Sequence, residues 1–557
     1  MAALNIFIGG DIFRRLREDN CCYVDKTGLI EELLNERTPL VSLITRPRRF
    51  GKTLTMTMLQ EFFDIRRDSR AMFEGLAIAG NTELCDKWMN RYPTLFLTLK
   101  GVEGRNYELA CAGMSSLLQG LMIENAYLLE SEKIDFDDKA KLSVIKKGAP
   151  SENEMAEALQ ILCRALEAHW GMPAILLIDE YDVPINYAEQ NGYYKEMVGF
   201  MRNMLGAALK TNTSLKFAVL TGCLRIAKES IFTGLNNFMC YSVSDADYAD
   251  KFGFTESEVD ALLAAANLSD KKPDFKEWYD GYRFGEGTEI YCPWDILAHL
   301  VRLQKNPKAA PQAYWNNTSG NAIVRTLINR AGEAARDKIE RLIDGGAVEE
   351  DLAEDLTYDI VYESESNIWT MLYLTGYLTK APEQPDSGLT ALVIPNKEVR
   401  QIFTGTVSKW FSETLKRQDF SSFVQALWSG DAETVQATLS DVLYGTISYF
   451  DSAENYYHGF VSGLLRGAGL NVKSNREHGL GRSDIVIEDG RNKRAIIIEL
   501  KTAAEYADLD DRAEEGLRQI EERRYEADLG PHIRRAVKYG IAFWRKESAV
   551  KVRESAR

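Results

Sequence analysis

The segment that most constrains this chain is Arg46-Pro47-Arg48-Arg49-Phe50-Gly51-Lys52-Thr53, which follows the apolar run Leu40-Val41-Ser42-Leu43-Ile44-Thr45. It fits the pattern G-x-x-x-x-G-K-[ST] of a phosphate-binding loop at all but the first position, where Arg46 replaces glycine. The setting matches as well. A strand-like run precedes the loop, and Leu54, Met58, Leu59, Phe62 and Phe63 follow at helical spacing. Main-chain N–H groups of such a loop, opening onto a helix N-terminus, form an anion site. Gly51 lets the backbone approach phosphate closely, Lys52 reaches the β- and γ-phosphates, and Thr53 holds Mg²⁺ through its hydroxyl. Arg46, Pro47, Arg48, Arg49 and Phe50 complete the loop around the nucleotide. The competing reading is a basic surface turn ahead of an amphipathic helix.

A second motif supports the nucleotide. Ala174-Ile175-Leu176-Leu177-Ile178 is a short apolar run ending in Asp179-Glu180. Five apolar residues suit a buried parallel strand. Asp179 is the expected Mg²⁺ ligand and Glu180 the residue that orients and deprotonates the attacking water. A third run, Leu215 to Leu220, ends at Thr221-Gly222. Thr221 is placed to sense the γ-phosphate, and Arg225 to add positive charge to the transition state. Each also reads as an ordinary strand-end or surface residue.

Composition narrows the classes. The chain has 557 residues, 45% of them apolar, and a net charge of −16. That length suits three or four domains, and the charge argues against uniform coating of nucleic acid. From Asp451 onward 20 Lys/Arg face 19 Asp/Glu, so the last segment is the least acidic and the place for a polyanion to dock. No stretch approaches the length of a membrane span, and the N-terminus lacks the pattern of a secretion signal. The eight cysteines are scattered without a C-x-x-C pair, which favours reduced thiols in a cytoplasm.

The first ~240 residues alternate strands and helices in the manner of an α/β sheet, with Ser151 to Trp170 expected as a helix before the second motif. From about 245 to 445 the pattern is helical, with aromatic clusters such as Trp278-Tyr279, Tyr291-Cys292-Pro293-Trp294 and Leu372-Tyr373 read as packing. The last ~105 residues return to α/β.

That last region carries a second constellation. Gly481-Arg482-Ser483-Asp484 runs into Ile485-Val486-Ile487, and fifteen residues after Asp484 comes Glu499 in Ala495-Ile496-Ile497-Ile498-Glu499-Leu500-Lys501. Alternation in a strand turns Glu499 and Lys501 to one face and Leu500 to the core. Asp484 and Glu499 are expected to hold one or two Mg²⁺ ions, with Glu454 as a further ligand, while Lys501 positions water for phosphodiester cleavage. Gln519 and Tyr525 lie on a following helix, and Ser474-Asn475-Arg476-Glu477 reads as a turn. The constellation resembles the PD-(D/E)XK nuclease superfamily.

The whole chain resembles the bacterial AAA-ATPase-like family, on Tyr23-Val24-Asp25-Lys26-Thr27, the loop at 46–53, Leu177-Ile178-Asp179-Glu180-Tyr181-Asp182, Leu235-Asn236-Asn237, the motif at 316–321, Ile394-Pro395-Asn396-Lys397-Glu398-Val399-Arg400 and the motif at 474–484. The resemblance implies an AAA-like P-loop NTPase domain with a parallel sheet at 1–244, a helical middle region at 245–445 and a small PD-(D/E)XK domain at 446–557. It implies ATP and Mg²⁺ as cofactors and marks Arg46 as a family feature. The leading expectation is an ATPase controlling a metal-dependent nuclease that acts on DNA, with homo-oligomers possible in principle. The alternative is a signalling or scaffold ATPase whose nuclease-like domain only binds nucleic acid or a protein.

Overall fold

The structure is a computed structural model and describes residues 4–35, 38–224, 231–232, 237–315, 324, 333–353, 356, 360–361, 364–415, 420–444, 454–478 and 481–556. Arg225, Leu235, Asn236 and the motif at 316–321 lie outside the described residues, as does the side chain of Glu454. The chain divides into two compact units. One comprises Met1–Ser319 with Glu349–Val399, the other Gly320–Val348 with Arg400–Arg557. The middle region expected at 245–445 is thus divided between them.

The first unit is built on a parallel sheet of β1 (Val41–Thr45), β2 (Thr94–Thr98), β3 (Ala174–Asp179), β4 (Leu215–Gly222) and β5 (Phe238–Tyr241), in the order β2-β3-β4-β1-β5. β1 and β3 are buried at every residue. That explains their unbroken apolar runs, since helices cover both faces of a parallel sheet. β4 lies between β1 and β3, in register Thr45 to Gly222 and Ile178 to Leu220. The two motifs therefore end on the same edge of the sheet, one strand apart.

Helix α1 (Lys52–Phe63) starts directly from the loop and buries Met56, Met58, Leu59, Phe62 and Phe63. Helix α2 (Glu152–Trp170) begins with a capping box between Ser151 and Glu154 and stops at Gly171 in the left-handed conformation. Beyond the sheet, the unit adds helices such as α3 (Pro293–Lys305) and short antiparallel ribbons at 254–255, 282–284 and 288–291. Its last element is the start of α4 (Lys397–Leu415).

The second unit carries a sheet of β6 (Val472–His478), β7 (Gly481–Asp489), β8 (Arg494–Thr502), β9 (Arg535–Trp544) and β10 (Glu547–Ala556), paired in chain order. All neighbours are antiparallel except β8 and β9, which are parallel and joined by the crossover helix α5 (Leu509–Glu522). Ser474 to Glu477, expected as a turn, lie within β6, where Ser474 pairs with Ile485 and Arg476 with Ser483. β6 is the edge of the sheet. Main-chain pairing with β7 makes it a strand, and this run of polar residues gives no apolar signal of it.

Both faces of this sheet are covered. Leu500 joins Ile485, Ile496, Ile498 and Tyr539 in a core closed by residues of the helices at 421–429, 432–444 and 454–467. The opposite face packs against α5, where Gly540 of β9 is indispensable: a Cβ there would fall 2.0 Å from the Ala513 carbonyl oxygen. Gly540 pairs with Glu499, so the helix is seated directly beside the carboxylate of the second motif.

Candidate active sites

At the edge shared by β1, β3 and β4, Asp179 is fully buried and both its oxygens are engaged. The Thr53 hydroxyl donates to Oδ2 at 2.7 Å and the Thr221 hydroxyl to Oδ1 at 2.5 Å. Two strand ends, of β3 and β4, and α1 thus meet at one carboxylate. Lys52, 7% exposed, donates to the carbonyl oxygens of Arg46 and Pro47 at 3.0 and 2.9 Å. The ammonium is thereby held under the loop. Arg49 and Gly51 both take left-handed backbone, at φ 71° and 84°. That is easy for glycine and strained for arginine.

Glu180 follows with φ 54°. Burial and the neighbouring Asp179 raise its pKa, against the opposing pull of Lys52 and Lys100. A carboxylate held up in this way is a stronger proton acceptor than an exposed one. Asp182, two residues on, accepts from the N–H groups of Cys223 and Leu224 at 3.0 and 3.2 Å and so fixes the turn after β4. Sequence reading gave Asp182 no role, because its partners lie on another strand.

Arg46, expected among the cofactor-binding residues, is fully buried, and its guanidinium is engaged by main-chain carbonyls. Nη1 donates to the carbonyls of Thr45, Tyr241 and Ser242, and Nη2 to those of Asp247 and Tyr248. Its guanidinium also lies over Phe252 and Phe284, at 5.6 and 5.4 Å. Burial lowers its pKa to about 10, still far above neutrality. Arg46 is a structural tie between the loop and segment 241–248. Phe50 is likewise buried, packed on Tyr282 and Phe284 at 5.1 and 5.4 Å. Arg48 is exposed and Pro47 buried.

In the second unit Asp484, Glu499 and Lys501 come together as the spacing predicts. The β7–β8 ladder ends at Ile485–Ile498, and beyond it the Asp484 carboxylate accepts the Leu500 N–H at 2.8 Å. A side chain thus replaces a main-chain partner and is drawn to the end of the hairpin. Lys501 donates to Glu499 Oε1 at 3.2 Å. Gln519 of α5 donates to the same oxygen, and its amide nitrogen lies 3.3 Å from the Tyr525 hydroxyl. His458 bonds the Asp484 carbonyl oxygen at 3.0 Å. Gln519 was legible only as a polar residue on a helix; its contact with Glu499 depends on the close seat at Gly540.

Glu499 is 2% exposed, yet its Oε2 has no hydrogen-bond partner among the described residues. Burial, reinforced by Asp484 and opposed by Lys501, pushes its pKa up to about 7. A buried carboxylate oxygen without a donor is costly unless a cation meets it. Asp484 and Glu499 therefore suit a divalent ion bound by oxygen ligands. Among the described residues no group of three or more His, Cys, Asp or Glu side chains is gathered as for a closed metal site.

Comparison with known proteins gives two family matches. Residues 7–232 fit the family model described as a predicted AAA-ATPase, and residues 452–553 fit that of the PD-(D/E)XK nuclease superfamily. The two matches follow one another in that order along the chain. An uncharacterized protein in the vnfD 5' region of Azotobacter chroococcum mcd 1 is 27% identical over 381 residues, 68% of this chain. The match spans 64% of that relative's length. Among the described residues no helix is long and apolar enough to cross a membrane.

Proposed function

We propose that the chain is an ATP-hydrolysing AAA-like protein coupled to a Mg²⁺-dependent phosphodiesterase that acts on DNA. The observation that carries this reading is the intact pair of constellations. Lys52, Thr53, Asp179 and Glu180 stand at one sheet edge, and Asp484, Glu499 and Lys501 at another.

In the first site Lys52 would exchange its loop carbonyls for nucleotide phosphate. Thr53 and Asp179 would hold Mg²⁺, which neutralises charge on the phosphates when bound. Glu180 takes the proton of the attacking water, and Thr221 keeps Asp179 oriented. In the second site Asp484 and Glu499 would hold the ion, which as a Lewis acid polarises the scissile phosphate. Lys501, fixed by Glu499, positions the attacking water, and Gln519 holds Glu499 in place.

A panel of plasmid, linear and single-stranded DNA, incubated with Mg²⁺ or Mn²⁺ and with or without ATP, tests the reading. Phosphate release together with strand cleavage is expected. Phosphate release without cleavage of any form would turn the reading to a signalling or scaffold ATPase. One observation favours that second reading: the exposed face of α5 carries Asp511 and Glu522, and its Asp510 and Glu521 are ion-paired with Lys551 and Arg553 of β10. A face of paired charges suits a protein partner.

A further inference from the structure

The turns that follow β3 and β4 are stitched together by hydrogen bonds that the proposed chemistry leaves unused. The Tyr181 N–H donates to the Thr221 carbonyl oxygen at 3.1 Å. The Tyr181 hydroxyl donates to the Leu224 carbonyl oxygen at 2.7 Å. One oxygen of Asp182, Oδ2, accepts both the Cys223 and the Leu224 N–H, at 3.0 and 3.2 Å. Tyr181 and Asp182 are both buried. Gly222 lies in the fork between them. A Cβ there would fall 2.6 Å from the Tyr181 ring and 2.7 Å from Asp182 Oδ1, so the two turns close this tightly only on glycine.

Glu180 stands inside the stitch. On one side Asp179 takes the Thr221 hydroxyl, and on the other Tyr181 gives its N–H to the carbonyl of that same threonine. Asp182 then reaches past Thr221 to the next turn. Three neighbours of Glu180 are thus anchored to the end of β4, and the Val183 N–H closes the turn on the Glu180 carbonyl at 3.2 Å. Glu180 itself has φ 54°. A non-glycine residue keeps that left-handed backbone where its surroundings over-determine it. The stitch has a second effect. It carries Cys223 to the loop lysine, with Lys52 Nζ 3.6 Å from the thiol sulfur.

We infer that Asp182 and Tyr181 are positioning residues for hydrolysis, fixing the left-handed turn at Glu180 and so the place of its carboxylate relative to the attacking water. The inference rests on the reading of Lys52, Thr53, Asp179 and Glu180 as an ATPase site, and it makes the end of β4 the template for the water-activating residue. The role of Asp182 calls for an acceptor and not for a charge. Its two donors are neutral main-chain groups that share one oxygen, and an amide oxygen has the two lone pairs needed to replace it.

The test uses the full chain, with phosphate release at saturating ATP and Mg²⁺ for kcat and a fluorescent ATP analogue for affinity. Asp182→Ala lowers kcat about a hundredfold, the scale of a reacting group displaced by about an ångström. Affinity stays at the wild-type level, because Lys52, Thr53 and the loop are untouched. Asp182→Asn recovers most of the loss. Tyr181→Phe lowers kcat about threefold to tenfold, the worth of one hydrogen bond, again at unchanged affinity. Iodoacetamide labelling followed by peptide mass spectrometry reads the turn directly: Cys223 reacts faster in Asp182→Ala than in wild type, while the buried Cys163 stays protected in both.

Absence of phosphate release from wild type, or binding unaffected by Lys52→Ala, overturns the ATPase reading itself. Turnover by wild type with an unchanged kcat in Asp182→Ala overturns this inference alone. So does a loss of kcat and affinity together, and so does an Asp182→Asn variant as impaired as Asp182→Ala. If Cys163 also becomes reactive in Asp182→Ala, that variant has not folded and Tyr181→Phe decides: a wild-type kcat rejects the inference, and a selective loss of kcat supports it.

Discussion

Asp179 and Glu499 are both carboxylates at the ends of buried β-strands, and the protein treats them differently. Asp179 has a threonine hydroxyl on each oxygen, so its polar requirements are met from within. Glu499 has Lys501 and Gln519 on one oxygen and, among the described residues, no partner on the other. The first site is a latch between strands, complete before any ligand arrives. The second is left short by one positive contact, and burial lifts its carboxyl toward neutrality. The difference lies in what each carboxylate meets: Asp179 is satisfied from within, and Glu499 keeps one oxygen without a partner among the described residues.

The largest effects should separate the two sites. Lys52→Ala is expected to lower ATP turnover roughly a hundredfold or more, on the scale of a lost electrostatic catalyst, while leaving cleavage chemistry intact at fixed nucleotide-free conditions. Lys501→Ala should do the converse. Phosphate-release and DNA-cleavage assays on both variants check the pair; joint loss in either variant would break the comparison.

Next in size is Gly540→Ala. Its Cβ would collide with the Ala513 carbonyl, so the second unit should lose about 3 kcal/mol, as overpacked cores do. Calorimetry should show one transition lowered and ATP turnover unchanged.

Glu499→Gln sharpens the electrostatic half. With its pKa raised to about 7, folded Glu499 holds a proton that the unfolded chain has lost between the ordinary glutamate range and neutrality. Stability therefore falls as pH rises through that window and levels above it. In chelator at pH ~8 the variant should be more stable by about 1–3 kcal/mol, and Mg²⁺ should no longer raise its melting temperature. A metal-dependent rise that persists would detach the ion from Glu499.

The smallest change is Thr221→Val, which removes one donor from Asp179. About a tenfold loss of turnover is expected, the worth of one hydrogen bond to a charged group, with nucleotide affinity nearly unchanged.

Much of the fold was legible because it is written in local runs. The apolar runs at 40–45, 174–178, 215–220 and 495–500 all fall in strands, the first from Val41 onward, and the Ser151–Glu154 box starts its helix. The nuclease-like triad was legible because period-two alternation fixes Glu499 and Lys501 on one face. β6 was missed, since its polar residues show no alternation and its pairing partner makes it a strand. Trp294 read as a packing aromatic, and its cation partner Arg49 was assigned only to the nucleotide.

By itself the sequence determined the order of the two chemistries and the residues at each strand end, because a strand, a turn and the next helix are decided by neighbours in the chain. Only the tertiary structure decided what those residues meet. Arg46 finds its carbonyls about two hundred residues away, Glu398 accepts the Trp315 N–H, and Asp484 captures the Leu500 N–H where a ladder ends. Such contacts form between segments brought together by burial of shared apolar faces. No local pattern encodes them, and they turn a basic loop residue into a buried tie and a strand-end glutamate into an open ligand.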